Sequence, residues 1–143
     1  MQVVKAICDE VAIISQGVLV EQGTVSEVFS HPKSDLAKKF ISSSIKVTLP
    51  GAYAERMQIN GSGSGNPVIK LTFNGDSADS AVLSEAAALF GVSNNIITAQ
   101  IEHAAGIKFG TILVEAHGKK EDHERALAYY KTLNIGVEVL GYV

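Results

Sequence analysis

Two adjacent amides, Asn94 and Asn95, have side chains that could take part in binding. An amide side chain both donates and accepts hydrogen bonds, so it can bind the carboxylate or the ammonium group of a small zwitterion. Ile96 and the apolar residues beyond it can hold an uncharged part of the same ligand. A plainer interpretation competes, because asparagine is also common in turns and the pair closely follows Gly91. Residue types alone favour the turn.

The remaining polar residues show no pattern typical of a catalytic or metal site. The histidines lack an i,i+4 pair, the glutamates fall on separate predicted strands, and no base is positioned beside the serines. We therefore expect solvated carboxylates, histidines that are solvated or at helix ends, and neither catalysis nor a bound metal. The residues considered are His31, His103, His117 and His123, Glu102, Glu115 and Glu138, and Ser84 and Ser93.

Length and composition limit the classes of protein that remain. The 143 residues fit one ordinary domain, or one small domain with an appendage. A net charge of -3, without basic residues clustered among aromatics, argues against a nucleic-acid partner. Cys8 is the sole cysteine, which excludes an internal disulfide. Every apolar run is shorter than about 18 residues, so we expect a soluble, cytoplasmic protein.

A predicted β-hairpin over residues 92–118 places the two asparagines at the start of its first strand. Its two runs are rich in β-branched residues, and Ala104-Ala105-Gly106 favours a turn between them. In the first run Ile97, Ala99 and Ile101 share one face, because side chains alternate along a strand. We expect this face to be core and the opposite face to be wetter.

The second run is apolar on both faces. Phe109 and Leu113 lie on one side, and Ile112, Val114 and Ala116 lie on the other. We expect the second set to face away from the helices of the domain and to be covered by a second copy in a homodimer. The N-terminal part of the chain is an alternative cover for this face.

The hairpin belongs to a regular series of elements after residue 66. The series predicts an α+β domain with a ferredoxin-like, βαββαβ order, in which both helices cover one face of an antiparallel four-stranded sheet. The elements are a strand at residues 68–73, a turn at Asn74-Gly75-Asp76, a helix capped within residues 77–80 and ended by Gly91, the two strands of the hairpin, a helix at residues 119–134 and a strand at residues 135–142.

Residues 1–45 predict a helix end, a hairpin and two short helices, with too little apolar surface for a core of their own. The hairpin turns at Gln16-Gly17, a capping box joins Thr24 to Glu27, and a further helix follows Ser34. Residues 46–66 predict a linker that contains one or two helical turns within residues 52–58 and a Gly/Ser-rich loop near its end.

The order of features in residues 1–32 resembles the end of the ATP-binding subunit of an ABC transporter. The matching stretches are M-Q-V-V-K, like the helix after that family's switch histidine, and D-E-V-A-I-I-S-Q-G-V-L-V-E-Q-G-T-V-S-E-V-F-S-H-P, like its closing hairpin and helix. The family's Walker A loop, signature motif and switch histidine would lie before Met1, and no G-x-x-x-x-G-K-[ST] occurs here. We therefore expect a remnant of an ABC ATPase domain that is not an enzyme and takes no cofactor, with ATP and magnesium bound only by the complete subunit.

Residues 67–143 resemble the NIL domain, a module related in shape to amino-acid-sensing ACT domains. The resemblance is carried by N-G-D, V-S-N-N-I-I-T-A-Q-I, G-I-K-F-G-T-I-L-V-E and V-E-V-L-G-Y-V. It implies a regulatory domain of a bacterial methionine importer, which pairs as a homodimer, binds L-methionine and inhibits import when internal methionine is plentiful. Membrane-spanning permease subunits would be further partners, and the protein would be peripheral to the inner face of the cell membrane.

The resemblance also implies a site. The family's ligand-contacting asparagine falls on Asn95, with Asn94 and Ile96 beside it. Two alternatives stay open at this point. One is a module that only dimerises the ATPase subunit, without a ligand. The other is a small-molecule enzyme on a ferredoxin-like scaffold, against which the missing catalytic pattern argues.

Overall fold

The computed structural model describes residues 2–59, 64–75, 77 and 80–143. From residue 67 onward the elements follow the predicted order of strand, helix, strand, strand, helix, strand. The bounds are α1 Gln2–Ile7, β1 Glu10–Ser15, β2 Val18–Thr24, α2 Val25–Ser30, α3 Asp35–Ser44, α4 Gly51–Arg56, β3 Pro67–Asn74, α5 Val82–Phe90, β4 Ser93–Ala104, β5 Ile107–His117, α6 Lys120–Thr132 and β6 Gly136–Tyr142.

The last four strands form one sheet in the order β4-β5-β3-β6, and every neighbouring pair is antiparallel. β5 and β3 are central, while β4 and β6 are edges. The first two strands pair with each other as a separate hairpin. The predicted α+β class, with an antiparallel four-stranded sheet, is confirmed, and the element order is that of the split βαβ arrangement.

The main core lies between α5, α6 and one face of the sheet. Strand residues at alternate positions contribute to it, as the two-residue period requires. Its fully buried members include Ile69, Leu71, Val82, Ala86, Val92, Val114, Ala116, Ala126 and Tyr130.

This core corrects the prediction that Ile112, Val114 and Ala116 face away from the helices. Val114 and Ala116 are buried under α5 and α6, and Ile112 packs against the same cluster. The side-chain period assigned the residues of β5 to two sets correctly. Because both sets are apolar, the period carried no information about which set the helices cover.

The N-terminal segment covers part of the other face of the sheet. Phe109 is fully buried there against Val25, Phe29 and Ile41 of α2 and α3. The rings of Phe29 and Phe109 meet at a centroid distance of 5.4 Å and an angle of 50°. Lys5 of α1 forms an ion pair with Glu102 at the end of β4. The second apolar face of β5 is therefore covered within the same chain.

A β-bulge interrupts β4. The pairing with β5 jumps from Ile96 to Thr98, which leaves Ile97 as the extra residue. The predicted alternation of Ile97, Ala99 and Ile101 is thus broken at its first member. The expectation of a core face here is also wrong, because Ala99 is exposed and Ile101 is 41% exposed. β4 is an edge strand, and the helices do not bury this part of it.

Local signals in residues 2–45 predicted the structure closely. Gln16 and Gly17 both have positive φ, 51° and 78°, as a two-residue hairpin turn requires. Thr24 and Glu27 form the capping box, and the Ser34 hydroxyl accepts a hydrogen bond from the N–H of Ala37. These predictions are confirmed because each depends on neighbouring residues alone.

The start of α5 differs from its prediction. Its N-cap is Ala81, without a side-chain hydrogen bond, in place of a polar cap within residues 77–80. Gly91 does end the helix in the left-handed conformation, with φ 71°. Outside the described residues lie 60–63 of the predicted loop, Asp76 of the predicted turn, and Ala78 and Asp79 of the predicted cap.

We predict that Phe29→Ala lowers the free energy of unfolding by about 3 to 5 kcal/mol, because it removes a buried ring from the contact with Phe109. Phe40→Ala is the matched control in the same segment, since Phe40 is 44% exposed, and it should cost about 1 kcal/mol or less. Urea unfolding followed by circular dichroism measures both. Equal costs would contradict the packing of α2 on the sheet.

Candidate functional site

Asn95 lies in β4, directly opposite Glu115 of β5. The interpretation of Asn94 and Asn95 as a turn is therefore wrong, because both are part of a paired strand. The Asn95 side chain is exposed, and its Nδ2 donates to the hydroxyl of Tyr53 at 3.3 Å. Tyr53 comes from α4, in the segment predicted as a linker.

Glu115 is the centre of this group. It is buried, although we expected a solvated carboxylate. Its Oε2 accepts a hydrogen bond from the Tyr53 hydroxyl at 3.0 Å, and its Oε1 accepts one from Asn66 Nδ2 at 3.1 Å. His117 Nε2 lies 3.1 Å from the same Oε1. Tyr53, Asn66, Asn95, Glu115 and His117 are called the Glu115 cluster below.

The other two glutamates considered in the sequence differ from Glu115 in burial and in partner. Glu102 is half-buried and paired with Lys5, whereas Glu138 is exposed and lies 3.7 Å from Lys70. A solvated carboxylate was thus the right expectation for Glu138 alone. Glu115 differs because its face of β5 is closed by α4 and by Asn66.

Two opposing effects act on the pKa of Glu115. Burial raises it, and hydrogen bonds from Tyr53 and Asn66 lower it more, so that the pKa lies below its ordinary value. The pKa of Tyr53 is raised, first because its hydroxyl donates to the Glu115 carboxylate. At neutral pH the cluster therefore holds a buried carboxylate anion beside a protonated phenol.

The linker is fixed to the sheet on both sides of residues 60–63. Gln58 and Tyr142 exchange two backbone hydrogen bonds of 2.8 and 3.0 Å, and Asn66 and Val143 exchange two of the same lengths. The Arg56 guanidinium lies 4.9 Å from the centre of the Tyr53 ring. The predicted helical turn therefore exists as α4, and it carries Tyr53 onto the cluster.

Asn94 and Ile96 lie on the opposite face from Asn95. Asn94 Nδ2 donates to the carbonyl of Leu83 in α5 at 3.4 Å, and its buried Oδ1 has no hydrogen-bond partner among the described residues. Ile96 is opposite Val114, on the helix side, and is 55% exposed. The structure therefore brings Asn95 together with Glu115 and Tyr53, and it separates Asn95 from the side chains of its two neighbours.

Comparison with known proteins identifies the family. The sequence model described as "NIL domain" matches residues 67–139, about half of the chain. The chain belongs to the NIL domain family. It is also 51% identical over 143 residues to proteins described as "Methionine import ATP-binding protein MetN" from Escherichia coli (strain K12) and from Shigella flexneri. All of this chain is aligned, and it spans 42% of the length of these relatives.

A solved structure supports the fold of this NIL domain protein. It is described as "Crystal structure of C-terminal domain of ABC transporter / ATP-binding protein from Enterococcus faecalis". The TM-score is 0.50 at 21% sequence identity, and the match covers 54% of this chain and 86% of that one. At this identity the likeness concerns the fold alone. The division of our chain at residues 45 and 66 stays a prediction.

Two further properties of the NIL domain protein concern metals and membranes. No group of three or more potential metal ligands occurs in the part of the chain that the structure describes. His123 lies in the first turn of α6, so it is a helix-end histidine as expected, but it is buried, and burial lowers its pKa. None of the described helices has the length and apolar character needed to cross a membrane.

Tyr53, Asn66 and Glu115 were not predicted as members of the candidate site. One signal for Glu115 was available. The run I-L-V-E-A in β5 is otherwise apolar on both faces, so its carboxylate had to be buried and hydrogen-bonded. No comparable signal exists for Tyr53 or Asn66, because they reach the site through the path of the linker.

We predict that Glu115 contributes stability that is lost as the pH falls. Its pKa is lower in the folded than in the unfolded chain, so the contribution is present above its unfolded pKa and disappears from about pH 5 downward. Glu115→Gln should therefore be less stable than the parent at pH 7, and the difference should shrink towards pH 4. Urea unfolding at several pH values measures this, and Glu138→Gln is the exposed control. A difference that stays constant with pH would contradict the prediction.

Proposed function

We propose that this chain is a regulatory module of a methionine importer, which binds L-methionine and lowers transport when internal methionine is plentiful. The observation that carries the proposal is the amide of Asn95 next to the buried carboxylate of Glu115 on paired strands. An amide and a carboxylate side by side suit the two charged groups of an amino acid. The relatives described as methionine import proteins make methionine the preferred ligand.

In this proposal Asn95 makes the direct contact with methionine, and its neighbours act from the other face of β4. Asn94 ties the strand to α5 through the carbonyl of Leu83 and makes no contact with the ligand. Ile96 offers an exposed apolar surface on the face of β4 away from Asn95, suited to contact with a second copy.

A homodimer completes the proposal. β4 is a twelve-residue edge strand, and the exposed side chains of Ile96 and Ile101 stand on it. A long edge with exposed apolar residues is prone to pair with another strand. Two-fold pairing along β4 covers the same surface of both copies. This surface replaces the set of Ile112, Val114 and Ala116 on which the expectation of a dimer was first based.

We propose that ligand binding is coupled to transport through the linker, residues 46–66. Tyr53 contacts both Asn95 and Glu115, and it belongs to the segment that leads back to the ATPase-like residues 1–45. Methionine can regulate import only if it favours one arrangement of the paired subunits over another. A ligand that contacts Tyr53 provides this preference through α4.

In this proposal, ATP binding and association with the permease belong to the complete ATP-binding subunit. We propose that this chain is not itself an enzyme and needs no cofactor, and that ATP and magnesium bind only to the complete ATP-binding subunit. The subunit is cytoplasmic, lies at the inner face of the cell membrane and associates with membrane-spanning permease subunits. Nucleic acid is not a partner.

A module that only dimerises the ATPase subunit is the second candidate. The exposed edge of β4 favours it, because this surface does not depend on a ligand. The two candidates differ in a simple thermal-shift experiment. A regulatory module is stabilised by methionine, whereas a dimerisation module melts at the same temperature with and without it.

We predict that Asn95→Ala weakens L-methionine about five- to more than a hundredfold, since an amide lost from a binding site typically costs about 1 to 3 kcal/mol. Asn94→Ala is the matched control on the other face and should bind methionine nearly as tightly as the parent. Isothermal titration calorimetry measures both. Equal affinity of the Asn95 variant and the parent would refute the role of Asn95.

The same substitution can be tested in a complete transporter. With alanine at the position of Asn95, ATP-driven import should continue and its inhibition by internal methionine should be lost. Persistent inhibition would show that the regulatory site lies elsewhere.

We predict that Ile96→Lys converts the dimer to a monomer, because a charge at the edge of β4 opposes its pairing. Ile59→Lys is the control, since Ile59 is 75% exposed and lies outside the sheet. Sedimentation velocity at micromolar concentration, with and without methionine, measures the association. A parent chain that stays monomeric in both conditions would refute the dimer.

A further inference from the structure

We propose that Glu115 binds the ammonium group of the amino-acid ligand and so selects for α-amino acids. This inference rests on the proposed function and names a recognition residue within its site. Among the described residues, Glu115 is the one acidic residue that is buried. A buried charge is unfavourable unless it is hydrogen-bonded and paired with an opposite charge.

The partners of Glu115 provide hydrogen bonds without a permanent positive charge. Tyr53 and Asn66 are neutral donors. His117 is the basic residue in contact, and its side chain is 47% exposed. In the described parts of the chain, no lysine or arginine forms an ion pair with Glu115. Glu102 and Glu138, in contrast, each pair with a lysine.

A ligand ammonium group would give the Glu115 carboxylate the positively charged donor that its neutral partners do not provide. A hydrogen bond between two charged groups is roughly twice as strong as one between neutral groups. A ligand ammonium that replaces a neutral donor at Glu115 therefore gains energy from the exchange. The Tyr53 hydroxyl is the donor best placed to yield, because it joins Glu115 to the exposed amide of Asn95.

The position of Asn95 supplies the second half of the recognition. Asn95 and Glu115 are direct partners across two antiparallel strands, so their side chains start from the same face and close together. The Asn95 amide can donate to a carboxylate while Glu115 accepts from an ammonium. The two groups of an α-amino acid are attached to one carbon atom, and this spacing fits neighbouring side chains on paired strands.

The experiment removes the ammonium from the ligand and the charge from the protein. Calorimetry compares L-methionine with 4-(methylthio)butanoate, which keeps the carboxylate and the thioether but has no ammonium. We expect the second ligand to bind the parent chain about 10- to 150-fold more weakly. Glu115→Gln should weaken methionine by a similar factor and should leave the weak binding of 4-(methylthio)butanoate unchanged. Glu138→Gln is the exposed control and should bind both ligands as the parent does.

The outcomes separate the inference from the function on which it rests. If the parent binds no methionine, both fail. If methionine binds and Asn95→Ala weakens it, but Glu115→Gln binds it as tightly as the parent, only the role of Glu115 is overturned. Equal weakening of both ligands by Glu115→Gln also overturns it, because a structural effect does not depend on the ammonium. If Glu115→Gln fails to fold, equal affinity of the two ligands for the parent overturns the inference.

Discussion

The burial of β5 on both faces is the constraint on which the rest of the structure depends. One face carries Val114 and Ala116 into the core beneath α5 and α6. The other face carries Phe109 and Glu115, which need different partners. Residues of α2 and α3 cover Phe109, whereas α4 and Asn66 close over Glu115. Phe109, near the start of β5, thus holds the N-terminal segment to the domain. Glu115, near the end of the same strand face, holds the linker.

The elements followed from the sequence wherever neighbouring residues decide the conformation. Thr24 and Glu27 predicted a capping box, and Gly91 predicted the end of α5. Long-range choices were less accessible. Both faces of β5 are apolar in sequence, so only the packing of the core showed which face the helices cover. The predicted polar cap of α5 was also wrong, since the helix begins after Ala81 without a side-chain hydrogen bond.

The site was predicted in part. Asn95 was singled out by the family resemblance, whereas residue type alone favoured a turn, and the structure places it beside a buried carboxylate. Tyr53 could not be predicted, because it is distant in sequence and belongs to a segment that composition describes as a linker. Asn94 was expected at the same site because it is adjacent to Asn95 in sequence, but its side chain lies on the other face of β4. Consecutive residues in a strand point to opposite faces, so neighbours in sequence do not line the same site.

The bulge at Ile97 has a consequence for how β4 can vary. Asn95 before the bulge and Gln100 after it share the face of Glu115, although their numbers differ by an odd step. The extra residue Ile97 therefore keeps the contact of Asn95 with Tyr53 and the contact of Gln100 with Glu102 on the same side of the sheet. Substitution within this stretch changes one side chain at a time, but removal of a single residue would turn one half of the strand over. The length of β4 is thus constrained more tightly than its composition.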